Sequence, residues 1–288
     1  HSHPVSRPMT PSVLPTHPGA QITRRRTALP VALTSGEPAG IAPEITVRAW
    51  QALRGRLPFF WIGDPAHLPP DTPIALIDDP AEATRRGQSA LPVLPIRFAA
   101  GAVPGRPARE NASAVIASIE TAVRLVQEGR AGAVCTNPIS KQALKEGAGF
   151  AFPGHTEFLA HLAGVERVAM MLACEALRVV PATIHIPLAE VRTVLTPALL
   201  RETIRLTHDA MVRDFGIARP RIAVAGLNPH AGEGGTMGRE EIEIIAPTLA
   251  ALAGEAWPFR ARCRPIRCFM PPPAPITMWP SPCITIRG

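Results

Sequence analysis

The sequence predicts an α/β protein built as two α/β/α domains with mainly parallel sheets. Two observations carry that prediction. Between Ala28 and Gly254, short apolar runs rich in β-branched residues alternate with longer stretches of helical periodicity. The apolar runs lead into polar, Gly/Pro-rich loops, as in βα units whose helices cover both faces of a sheet. The 288 residues, 46% of them hydrophobic, suffice for one large or two ordinary domains with a sizeable core.

Residues 1–28 are rich in Pro, Ser, Thr and His and lack periodicity, so a disordered extension is expected there. "ALPVALT" follows as a buried strand and "SGEPAGIAP" as a turn. "PEITVRAWQALRG" reads as a helix, with Pro43 in its first turn and Gly55 just past its end. "LPFFWIGD" is the next strand. "NASAVIASIETAVRLVQE" places Val115, Ile116, Ile119, Val123 and Val126 on one helical face, and "AGAVCTNP" returns as a strand. A first domain over 29–145 is expected, with a second over 146–254. In the second, "RVAMMLAC", "RVVPATIHIPL" and "PRIAVAGLNPH" read as strands. "PALLRETIRLTHDAMVRDFG" and "REEIEIIAPTLAALAG" read as helices ending at Gly216 and Gly254.

The net charge of +7 sits mainly at the ends. Residues 1–28 hold Arg7, Arg24, Arg25 and Arg26 and no acid; residues 255–288 hold five arginines and one acid, Glu255. The body between is close to neutral. A phosphate-backbone binder needs its charge on one folded face, so no nucleic-acid partner is expected. No apolar run approaches the ~20 residues of a membrane span. "TRRRTALPVAL" has a twin-arginine pair, but its apolar stretch is short and holds Pro30. Cys135 and Cys174 are the body's only cysteines and show neither disulfide nor zinc spacing, which points to the cytoplasm.

In α/β sheets, ligands sit at the carboxyl ends of strands. Several polar loops lie at or near such ends: "TSGEPAGIAPE", "TNPISK", "IHIPL" and "GLNPHAGEGGTMG", with "PGHTE" in between. The last glycine-rich loop carries His230 and Glu233, and is either a ligand loop or a turn with a solvated histidine. His185, inside an apolar run, is either a ligand or a satisfied core residue. His155, Thr156 and Glu157 either bind an anionic substrate or cap the helix that follows. Lys141 pairs with an anion or lies on the surface. "GEPAG" meets a ligand or turns the chain. No G-x-G-x-x-G follows the first strand. Histidines and glycine loops recurring at strand ends favour a metal-assisted active site.

These motifs, in this order and spacing over about residues 29–254, resemble the 4-hydroxythreonine-4-phosphate dehydrogenase family of pyridoxal phosphate biosynthesis. The resemblance implies a fold like that of isocitrate and isopropylmalate dehydrogenases. It also implies a homodimer whose active site is completed by the partner subunit. It implies NAD as oxidant and a divalent metal (Zn, Mg or Co). It places His155 and Thr156 on the substrate, a small phosphorylated amino acid, and His185 and His230 on the metal. A third metal histidine would come from a "YHDQG" motif. The implied reaction oxidises 4-phosphohydroxy-L-threonine to 2-amino-3-oxo-4-phosphooxybutanoate, which decarboxylates to 3-amino-2-oxopropyl phosphate. A paralogous enzyme for erythronate or threonate phosphate would share these loops. An inactive relic is the third reading.

The family's "GPLPADTLF" and "YHDQG" segments are absent as written. Residues 255–288 instead hold eight prolines, five arginines and three cysteines. Each codon can be rebuilt from the last base of one residue and the first two of the next. This forces Val from Met278–Trp279 and Ala from Trp279–Pro280. It permits Tyr-His-Asp-Gln-Gly up to Gly288, and Gly-Pro-Leu-Pro-Ala-Asp-Thr-Leu-Phe over residues 260–269. The expectation is a net loss of one base near codons 253–260, leaving an off-frame tail with little regular structure. With only two of three metal histidines, metal binding is expected to be weak.

Overall fold

The computed structural model describes residues 29–174 and 177–254, together with the backbone of Cys283–Arg287. The expectations for 1–28 and 255–282 lie outside these residues. The chain divides between Ala151 and Phe152 into two units, where the sequence places the division between 145 and 146.

The first unit runs Val31–Thr34 (β1), Ala42–Leu53 (α1), Phe59–Gly63 (β2), Ile74–Leu76 (β3), Ala83–Arg86 (α2), Leu91–Pro95 (β4), Ala112–Gln127 (α3), Ala133–Cys135 (β5) and Lys141–Ala148 (α4). Its sheet has the order β3-β4-β2-β1-β5, and every pairing is parallel. All five residues of β2 are buried, as a strand covered on both faces requires. Successive side chains alternate between two cores. Leu33, Phe59 and Trp61 join Val47 and Trp50 of α1 on one face. Ala32, Phe60 and Ile62 join Ala122 and Leu125 of α3 on the other. The stripe predicted on α3 is present, with Val115, Ile119 and Val123 buried and Ile116 and Val126 at its margin. Gly55 follows α1 with φ +76°, ending the helix as expected.

The second unit runs His155–Ala163 (α5), Leu172–Ala173 (β6), Arg178–Pro181 (β7), Val191–Val194 (α6), Pro197–Arg213 (α7), Arg221–Val224 (β8), Ala246–Gly254 (α8) and Cys283–Arg287 (β9). A π-helical turn, Glu241–Ile245, leads into α8. The Thr196 side chain caps α7 by accepting from the Leu199 N–H. The core gathers Val180, Leu200, Ile204, Met211, Ile222, Val224 and Leu249 from the strands and helices around them.

Here one expectation is corrected. The sheet order is β6-β7-β9-β8 and every pairing is antiparallel, not mainly parallel. β6 and β7 are joined by a tight turn in which Cys174 and Leu177 exchange backbone hydrogen bonds, and so short a connection allows only antiparallel pairing. β9 runs against both β7 and β8, so those two strands run parallel to each other with one strand between them. The crossover through α7 produces that relation. Of the tail, expected to hold little regular structure, residues 283–287 form β9. Ile284 pairs with Val180 on one side and Val224 on the other. The physical reason is twofold. "ITI" is β-branched throughout, and two facing strand edges template a third strand between them. Among the described residues, no helix is long and apolar enough to cross a membrane.

Candidate functional site

In the first unit, the loops after β1 and β5 clasp each other at the carboxyl end of the sheet. Asn137 is 4% exposed. Its backbone N–H donates to Thr34 Oγ1 at 3.1 Å; its Nδ2 donates to the Thr34 carbonyl and to Thr46 Oγ1, each at 2.9 Å. The Glu37 N–H donates to the Pro138 carbonyl at 2.8 Å. Gly36 has φ +68°, and a Cβ there would lie 2.5 Å from Asn137 Cβ. Only glycine therefore fits at the first position of "GEPAG". Ser118, on α3, accepts from the Ser35 N–H and donates to the Ile62 carbonyl. Ser35 Oγ is buried with no hydrogen-bond partner among the described residues. Cys135, at the end of β5, is an exposed residue, but partial desolvation pushes its thiol above the ordinary pKa. Lys141, the first residue of α4, is exposed.

In the second unit, His155 and Thr156 open α5 and are half-buried. The N-cap is Gly154, which has no side chain. A helix start presents backbone N–H groups and a dipole that favour an anion.

His185 is not in a strand: β7 ends at Pro181, and His185 is an exposed residue of the following bend with φ +57°. The core-histidine alternative therefore does not hold. His230 is exposed in the loop after β8. Its Nδ1 lies 2.8 Å from Glu233 Oε1, and its N–H donates to Asn228 Oδ1 at 2.8 Å. Because β7 and β8 run parallel to each other, the loops bearing His185 and His230 leave the same edge of the sheet. The structure brings these two loops to one edge; His155 and Thr156 stand on a separate element. Among the described residues, no group of three or more His, Cys, Asp or Glu is gathered to hold a metal ion. The donors at hand are imidazoles, which suit Zn or Co better than Mg. With Nδ1 engaged by a carboxylate, His230 offers Nε2 as a ligand, so this side chain fits a divalent metal.

Sequence reasoning passed over Asn228 and Glu241, which build the His230 loop. The Asn228 N–H donates to Glu241 Oε1 at 2.9 Å, and its Nδ2 to the Met237 carbonyl at 2.8 Å. Glu241 is 7% exposed and its Oε2 has no hydrogen-bond partner among the described residues. A Cβ at Gly232 would meet that oxygen at 2.9 Å. The available signal was a carboxylate in an apolar helical stretch, "EIEII", where a buried charge calls for a partner.

The comparisons with known proteins agree with one another. The family model for pyridoxal phosphate biosynthetic protein PdxA matches residues 58–271. The 4-hydroxythreonine-4-phosphate dehydrogenase of Ruegeria sp. (strain TM1040) is 56% identical over 227 residues, 79% of this chain and 70% of that protein. The enzyme of the same name from Roseobacter denitrificans is 56% identical over 232 residues, 80% of this chain and 71% of that protein. Among solved structures, the crystal structure of 4-hydroxythreonine-4-phosphate dehydrogenase from Klebsiella pneumoniae superposes with a TM-score of 0.75. It is 34% identical, over 84% of this chain and 77% of that one. With more than half the chain inside the family model, and relatives this similar over most of its length, the chain belongs to the PdxA family of pyridoxal phosphate biosynthetic proteins.

Proposed function

We propose that the chain is a 4-hydroxythreonine-4-phosphate dehydrogenase, an oxidoreductase of pyridoxal phosphate biosynthesis, and that it works with NAD and a divalent metal. The 56% identity to relatives bearing that name carries the reading. With both bound, the metal supplies Lewis-acid polarisation at the substrate's C3 hydroxyl and the nicotinamide supplies the hydride acceptor. The chain's own residues do the holding. His155 and Thr156, at the start of α5, bind the substrate, where the helix dipole favours a phosphate. His185 and His230, on loops from one sheet edge, hold the metal through imidazole nitrogens. The β-keto acid product loses carbon dioxide readily. A cytoplasmic homodimer with the site completed across the interface belongs to the same reading, supported by the family.

The test is NADH formation from 4-phosphohydroxythreonine with Zn²⁺ or Mg²⁺, run on this chain and on a frame-restored version. Erythronate and threonate phosphates are run beside it. Turnover of the amino acid phosphate by the restored chain is the expected result. Turnover of only a sugar-acid phosphate overturns the substrate, and turnover of none overturns the activity.

A further inference from the structure

We propose that Glu233 is a positioning residue that sets which nitrogen of His230 is offered to the metal. This rests on the reading of His230 as a metal ligand. A neutral imidazole has one N–H and one lone pair. Glu233 Oε1, 2.8 Å from Nδ1, accepts the proton-bearing side, so the lone pair is left on Nε2. A carboxylate on the far nitrogen also makes the ligating nitrogen more basic and fixes the ring's rotation.

Stability does not account for the contact. The His230 and Glu233 side chains are 54% and 55% exposed, and exposed ion pairs contribute little to folding. Nor is it the ordinary three-residue spacing of a helix. Ala231, Gly232, Glu233, Gly234 and Gly235 all have positive φ, with Ala231 at 52° and Glu233 at 39°. Left-handed backbone is unfavourable for residues with a Cβ, and its persistence at a polar loop points to function. In "AGEGG" the one side chain larger than a methyl group reaches the histidine. The other end of His230 is fixed as well: its N–H is held by Asn228 Oδ1, and Asn228 is itself held by Glu241 and Met237. The loop fixes the backbone of His230 from below while Glu233 fixes its ring.

The experiment uses the full chain and its frame-restored version, with E233A, E233Q and H230Q in each. The His230 tautomer is read by long-range ¹H–¹⁵N NMR at alkaline pH, where imidazoles are neutral. H230Q assigns the signal. Co²⁺ affinity is measured by titration of its absorption spectrum. The Nδ1–H tautomer should dominate in the parent and in E233Q, whose amide oxygen still accepts, and lose that dominance in E233A. Co²⁺ affinity should fall about 10- to 100-fold in E233A and less in E233Q. An unchanged tautomer in E233A, or equal losses of affinity in E233A and E233Q, overturns the positioning role. Co²⁺ binding that is absent from the parent, or untouched by H230Q, overturns the metal reading itself.

Discussion

Asn137 donates its side-chain N–H to the carbonyl oxygen of Thr34 at 2.9 Å, tying the loop after β5 to the end of β1. The same amide reaches Thr46 on α1, so one buried side chain joins two strands and a helix. Asn137→Ala leaves a buried carbonyl and hydroxyl without that donor. It should destabilise the protein by about 1–3 kcal/mol, read as a lower urea midpoint at unchanged slope. A midpoint equal to the parent's would mean the clasp contributes nothing.

Gly36 is where the same clasp has least room. Ala at this position adds a Cβ 2.5 Å from Asn137 Cβ and 2.8 Å from the Pro138 carbonyl, at φ +68°. Strain and overpacking together should cost about 2 kcal/mol or more. Thermal melts of Gly36→Ala beside Gly129→Ala check it. Gly129 shares the positive φ but meets nothing within 4 Å, so the larger drop should occur at Gly36.

β9 is tested through its backbone. Ile284→Pro removes an N–H in a strand paired on both sides and disfavours the extended ladder. Soluble yield should fall, with an aggregated fraction on gel filtration. A monodisperse product with parental yield would show that β9 is dispensable.

Metal affinity should respond to the reading frame. The chain as written supplies His185 and His230 and gathers no third donor among the described residues. Restoring the frame adds the histidine of "YHDQG". A direct ligand should matter at least as much as an outer partner, so Co²⁺ affinity should rise by about tenfold or more. Equal affinities for the two chains would remove the third ligand from the account. An uninterrupted frame on resequencing, with no "YHDQG" restored, would remove the frame change.

Cys135 offers a check on pH. Burial raises its thiol pKa, so at any pH near neutral less of it is thiolate than in an unstructured peptide. Alkylation by iodoacetamide, followed by mass spectrometry, should be slower than for a cysteine peptide at pH 8, and the gap should close on unfolding in urea. Equal rates in the folded chain and the peptide would contradict the raised pKa.

The first unit was legible because its central strands, β1 and β2, are buried on both faces. Phe59–Gly63 reads as an unbroken apolar run, and Pro43 and Gly55 bracket α1 within a residue or two. The second was less so. "RVAMMLAC" shrinks to Leu172–Ala173, and "RVVPATIHIPL" ends as a strand at Pro181. There, hydrophobicity alone does not tell strand from the bend that carries His185. Strand direction was out of reach for a different reason: β9 lies far along the chain from β7 and β8, and no local pattern reports a pairing of that separation. The histidines were visible as residue types at loop ends. Their support was not, because Asn228, Glu233 and Glu241 act through a left-handed loop whose course depends on contacts rather than on spacing.

The position of β9 bears on how the protein comes off the ribosome. The sheet of the first unit is complete once Cys135 has emerged. In the second, β7 and β8 flank a gap that stays open until Cys283–Arg287 is synthesised. At ordinary elongation rates the stretch between Val224 and Cys283 takes on the order of seconds to make. Over that interval the nascent chain carries a finished parallel-sheet unit and a second unit with two facing, unpaired strand edges. Such edges are the surfaces that holdase chaperones cover. Translation speed over that stretch, set by codon choice, therefore becomes a determinant of how much of this protein reaches its folded state.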